Sequence, residues 1–205
     1  MKQEEKEKLI RELKELKNLK GEERGSDIKF LAKYLKQKEG KENYDKFIDF
    51  LKKELDFQLP DLEKLNSVDW IPASIPHIFM VGMVRYFNWS EEEISEMGRK
   101  VLGFSRSIRI FTKHFISAKF SIKKVVENWN KYYSFGSAKL VSFDKAKKEA
   151  VLRIYDFKTH PIVCKFLEGV VVEFLKVFTG SKRTQAKETK CMCQGDNYHE
   201  FKLNW

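Results

Sequence analysis

The spacing of apolar residues changes at Gly136, and no other feature bounds the fold of this chain as tightly. Upstream the period is near 3.6. Phe30, Leu31, Tyr34 and Leu35 share one helical face, and Tyr44, Phe47, Ile48, Leu51 and Leu55 share the next, with a break near Gly40. Ser90 and Glu93 form a capping box at the head of a helix carrying Ile94, Met97, Val101 and Leu102. Two more helices read over 105–118 and 121–133, the second with Val125, Val126, Trp129 and Tyr133 on one side. Downstream the period is 2. "AKLVSFD" and "EAVLRIYDF", joined by "KAKK", alternate as a β-hairpin. Pro161 opens and Gly180 stops a helix that is apolar nearly all round and therefore buried against a sheet. "RTQAKETKCMCQGDNYHEFKLNW" closes the chain as a second hairpin turning at Gly195 and Asp196. Helices followed by ββ–α–ββ make an α+β protein: a helical N-terminal part, then an antiparallel sheet packed against helices.

The first twenty residues are almost entirely Lys, Glu and Leu. Leu9, Leu13 and Leu16 form a narrow seam that Ile10 widens, too short for a coiled coil by itself. Such a seam must be covered, by the rest of the chain or by a second copy. The expectation is a homodimer built on the helical N-terminal part. Residues 1–20 are thus a charged amphipathic helix, 21–103 the helical N-terminal part, and 104–205 the α+β region.

Of the 205 residues 42% are hydrophobic, seventeen of them Phe and four Trp, so an ordinary core forms without disulfide support. Three cysteines, an odd number, oppose a disulfide scaffold. No stretch approaches the roughly 20 apolar residues that span a bilayer, and the N-terminus lacks the apolar centre of a secretory signal. A cytoplasmic protein is expected. The net charge of +10, from 40 Lys and Arg against 30 Asp and Glu, permits contact with anions. Mixed-sign, lysine-rich surfaces also arise for solubility alone, so nucleic acid is not the expected partner.

"AKETKCMCQGDNYHEF" concentrates the chemistry. A tight turn centred on Gly195 places Cys191 across from His199 with both side chains on one sheet face. Cys164 lies about one turn into the helix that must cover that face. Two thiols and an imidazole thereby converge from three segments, as a tetrahedral metal site requires. The fourth position stays open between two residues. Glu188 stands three residues from Cys191 and has the wrong parity for a regular strand, unless a bulge or a non-strand start near 189 intervenes. Cys193 has the right parity. No nucleophile motif surrounds either cysteine, so catalysis by a thiol is not expected.

"CKFLEGVVVEFL" followed by "AKETKCMCQGDNYHEF" resembles the vinyl-4-reductase-type small-molecule-binding domain, a family that includes the sensor domains of phenol- and xylene-responsive activators. Its fold is shared with haem–nitric-oxide-binding domains and trafficking-complex subunits. The resemblance is strongest over 160–201. The family pattern is a helix cysteine, then Glu-x-x-Cys, then a further cysteine before a penultimate aromatic. Cys164, Glu188 and Cys191 match it, Phe201 supplies the aromatic, and His199 stands in place of the last cysteine. The resemblance implies zinc held by Cys164, Glu188, Cys191 and His199, with Cys193 a bystander. It further implies an apolar pocket between helices and sheet, with His114 as polar handle and Phe111, Phe115, Trp129, Val141, Phe143 and Tyr155 as walls. The haem branch's Tyr-x-Ser-x-Arg motif is missing, and no Gly-rich dinucleotide loop supports reductase chemistry.

The expected function is a sensor or carrier domain for a small hydrophobic or aromatic molecule, with structural zinc and with output to a protein partner. An enzyme or accessory factor acting on a tetrapyrrole-like substrate is the alternative. A basic adaptor, using "KAKK" and "SKR", is another.

Overall fold

A computed structural model describes residues 2–104 and 117–205. The chain divides into two compact units, 1–90 and 91–205. Among the described residues no helix is long and apolar enough to cross a membrane.

The first unit is helical. α1 (Gln3–Leu16) leads into a short strand β1 (Glu22–Arg24), which pairs antiparallel with β2 (Trp70–Pro72). Between them runs α2 (Gly25–Leu55), broken at Gly40, where φ 84° and ψ 164° take the backbone out of the helix. Glycine alone tolerates that conformation cheaply, which is why the two apolar faces read from the sequence are separate. α3 (Ser74–Tyr86) closes the unit, with Ile78, Phe79, Val81 and Met83 in the core. Phe79 meets Phe47 edge-on at 5.3 Å. Leu9, Leu13 and Leu16 are 3%, 0% and 7% exposed. The seam expected to hold a second copy is thus already covered within the chain, and the argument for a homodimer built on it falls.

The second unit is α+β. α4 (Glu91–Phe104) begins one residue after Ser90, and Ile94, Met97 and Leu102 are buried. The helix read over 105–118 lies outside the described residues except for its last two positions. The helix read over 121–133 is α5 (Ala118–Glu127), followed by a 3-10 turn at Trp129–Lys131. β3 (Ser137–Asp144) and β4 (Glu149–Tyr155) form the first hairpin, α6 (Pro161–Thr179) follows, and β5 (Gln185–Lys190) and β6 (His199–Asn204) form the second. The sheet runs β3-β4-β6-β5, antiparallel throughout. Ala150, Ile154, His199, Phe201 and Leu203 point to its buried face.

α6 lies between this face and α4. Its apolar surround has that cause: one side meets the sheet and the other meets α4. The two helices cross at glycine. A Cβ on Gly98 would stand 2.1 Å from the Phe166 carbonyl oxygen, and one on Gly169 would stand 1.9 Å from that of Ser95.

Candidate metal centre

Three local decisions build the cluster. His160 caps α6, its Nδ1 accepting from the Ile162 amide, and Pro161 starts the helix. Cys164 therefore falls on the first turn, facing the sheet. In β5 the register slips between Glu188 and Lys190, with Glu188 opposite Phe201 and Lys190 opposite Glu200. Thr189 is the bulged residue. It removes the parity conflict and lets Glu188 and Cys191 serve one site. The turn differs from the tight one expected. Strand pairing stops at Lys190, a 3-10 turn occupies Met192–Gln194, and the Cys191 amide donates to Asp196 Oδ2 at 2.8 Å. Cys191 lies at the mouth of a longer loop and is not a cross-strand partner of His199.

Ligand atoms of Cys164, Glu188, Cys191 and His199 all lie within 4.8 Å of one another. Cys164 Sγ is 3.5 Å from Cys191 Sγ and 3.6 Å from His199 Nδ1. His199 Nδ1 is 2.8 Å from Glu188 Oε1. His199 Nε2 lies 3.0 Å from the Phe157 carbonyl, to which it donates its proton. That bond leaves the Nδ1 lone pair facing the cluster, the orientation that metal-ligating histidines take from a second hydrogen bond. A bare Nδ1 and a carboxylate at 2.8 Å are two acceptors and need a proton or a cation between them. Cys193, half-buried on the 3-10 turn, has its Sγ 3.9 Å from that of Cys164. It is near the four but outside the set.

The electrostatics match an empty donor cluster. The hydrogen bond that Cys164 donates to Cys193, together with burial, pushes the Cys164 thiol far up. Burial pushes Cys191 up to about 11. The bond with Cys164 and the Thr159 backbone bring Cys193 down to about 6 against its own burial. Burial opposes a charge on His199, but Glu188 and the Phe157 carbonyl outweigh it and raise its pKa. Glu188 and Cys191 also line a polar cleft of about 860 Å³ between α4, α6 and β5, which opens one side of the cluster to solvent.

The pocket residues are more scattered. His114, Phe111 and Phe115 lie outside the described residues. Trp129 stacks on Tyr133 at 4.5 Å and meets Phe157 edge-on at 5.0 Å, in a group that Phe135 completes. Phe143 packs on Trp205, Tyr155 packs on Tyr198, and Val141 is 46% exposed. These four do not share one wall. Sequence reasoning missed Phe157, which holds His199 through its carbonyl. A backbone contact of that kind leaves no mark on residue type.

No protein-family model and no curated protein matches the chain. Solved structures do. An H-NOX protein from S. oneidensis in the Fe(II)NO ligation state superposes with a TM-score of 0.63 at 14% identity, over 88% of this chain and 98% of that one. The Fe(II) unliganded H-NOX protein from K. algicida gives 0.61 at 12% identity, over 88% and 95%. The H-NOX domain from Shewanella oneidensis in the Fe(II)CO ligation state gives 0.61 at 15%, over 88% and 97%. The chain therefore has the fold of these small-molecule-binding domains, while the vinyl-4-reductase resemblance finds no matching family model.

These relatives also correct the cofactor. They are described with Fe(II) and, in a study of the H-NOX family, with haem; zinc, the expected cofactor, is not what they carry. The three described histidines are each engaged elsewhere, and His114 lies outside the described residues. His77 Nδ1 is 2.8 Å from the Ala73 carbonyl and 3.2 Å from Glu23, His160 caps α6, and His199 is committed to the cluster.

Proposed function

We propose that the protein is a sensor domain for a small hydrophobic or aromatic molecule. In this reading Cys164, Glu188, Cys191 and His199 hold a metal ion that ties α6 to the terminal hairpin. One observation carries it: four donors from three segments, all within 4.8 Å, with the imidazole held so that Nδ1 faces inward. Two thiolates, an imidazole and a carboxylate suit a thiophilic transition-metal ion. The H-NOX fold supports the sensing half of the reading.

Phe157 links the two halves. Its ring belongs to the aromatic group of Trp129, Tyr133 and Phe135, and its carbonyl orients His199. A molecule that moved those rings would move the histidine. Output passes to a protein partner. The reading does not call on haem: the three described histidines are engaged elsewhere, and His114 lies outside the described residues.

The test is a thermal-shift screen of the metal-loaded protein against phenols, fatty acids and haemin. A phenol or fatty acid that raises the melting temperature supports the reading, since a ligand of the folded state alone stabilises it. Haemin binding stoichiometrically with a histidine-ligated absorption spectrum would overturn it in favour of a haem protein.

A further inference from the structure

The face of the sheet turned away from α6 carries a second, unrelated constellation. Alternation places Lys139, Arg153, Tyr155, Lys187, Glu200 and Lys202 there, with Asp144 and Glu149 at the end of the strands away from Tyr155. Tyr155 and Tyr198 lie side by side at the ends of the two central strands, ring centroids 5.5 Å apart. Cations surround them. The Arg153 guanidinium stands 4.4 Å over the Tyr198 ring and Lys190 Nζ 4.9 Å from it, while Lys139 Nζ is 5.4 Å from the Tyr155 ring.

The acid at the centre of this face is spent. Glu200 is 8% exposed, takes Arg153 at 2.8 Å and accepts from Thr189 at 2.9 Å. Lys187 and Lys202 are exposed and directly opposite each other in register. Like charges across a strand pair cost stability, and a fold that keeps them presents positive charge to something.

We propose that this face binds single-stranded nucleic acid, with Tyr155 and Tyr198 as stacking platforms and Lys139, Lys187, Lys190 and Lys202 meeting phosphates. Adjacent aromatic rings at the ends of the central strands of an open four-stranded sheet, ringed by cations, make the kind of stacking platform that sequence-tolerant single-strand binding uses. An acidic polypeptide would satisfy the lysines and leave the paired rings without a role. The sequence alone set nucleic acid aside because a net charge has no location. The fold supplies one.

The experiment is fluorescence anisotropy of a labelled twenty-nucleotide oligothymidine with the full chain across a salt series. Three or four phosphate contacts predict a log–log salt slope of about −2 to −3. Lys187→Glu should weaken binding about tenfold while leaving the melting temperature unchanged or higher, because it replaces a like-charged cross-strand pair with an opposite one. Tyr198→Leu and Tyr155→Leu should each weaken it about tenfold at an unchanged salt slope. Lys20→Glu, in an exposed loop of the first unit, should cost less than twofold. No binding at low salt overturns the proposal, and so does equal weakening by Lys20→Glu and Lys187→Glu, which would mean diffuse charge. Displacement of the oligonucleotide by polyglutamate at lower concentration, with no effect of either tyrosine, reassigns the face to an acidic protein and overturns it too.

Discussion

His199 and Glu188 face each other at 2.8 Å in a pocket where one side chain is 1% and the other 15% exposed. A proton or a cation has to lie between them; in the proposed reading it is a cation, with the two thiols beside them completing the donor set. Cys191→Ser should therefore abolish metal retention, while Cys193→Ser keeps it, as metal analysis of the two purified variants would show. Loss of metal from Cys193→Ser alone would mean that the wrong thiol was chosen. A second buried acid sits in the first unit. Glu23 is 3% exposed beside His77, and burial, reinforced by Asp27, raises its pKa well above the usual 4.5. Desolvation likewise takes Asp27 from 3.8 to about 7. Both carboxyls take up protons on folding, so the stability linked to them is complete below about pH 4 and is lost as pH rises through the folded values. Glu23→Gln should raise stability at pH 8 by about 1–3 kcal/mol and do little at pH 5. Thermal melts at the two pH values measure this, and an equal gain at both would contradict it.

At the scale of elements, the crossing of α4 and α6 is as close as backbones allow. A methyl at Gly169 has 1.9 Å to the Ser95 carbonyl oxygen and cannot be accommodated without separating the helices. Gly169→Ala should cost about 3 kcal/mol or more, read by urea denaturation; a cost below about 1 kcal/mol would mean the crossing relaxes freely. The bulge at Thr189 is the other decisive element feature. Without that extra residue in the ladder, the three-residue step from Glu188 to Cys191 would put the two side chains on opposite faces of the strand. Much of this was legible in the sequence. Pro161 and Gly180 bracket α6 as expected, the change of period at Gly136 marks the hairpins, and the parity conflict at Glu188 left a bulge or a non-strand start, of which the structure shows the bulge. The loop after Lys190 was not legible, because its 3-10 turn is held by backbone bonds and Asp196 rather than by a turn motif. The Gly98–Gly169 crossing was not legible either, since a close approach depends on which helices meet. Nor did the pocket residues declare their faces: the resemblance makes Tyr155 and Val141 pocket walls, but strand register turns Tyr155 away from α6 and Val141 falls at a bulge in β3, exposed.

For the whole molecule, the fate of α1 separates two accounts. Its leucines are covered by its own unit, so removing residues 1–20 should destabilise the first unit by several kcal/mol without changing a dimer into a monomer. Light scattering and a thermal melt of the full and shortened chains read both quantities; dissociation of a stable dimer into folded monomers would restore the seam as an interface. The central proposal is that, in a chain with the H-NOX fold, four side chains of the second unit close α6 onto the terminal hairpin through a metal ion. Elemental analysis of the full chain, purified without chelator and again after reconstitution, tests it most directly. The account predicts about one metal ion per chain, absent from Cys191→Ser and accompanied by a looser terminal hairpin in hydrogen exchange when the ion is removed. A chain that carries no metal as purified and takes up none on reconstitution would contradict it.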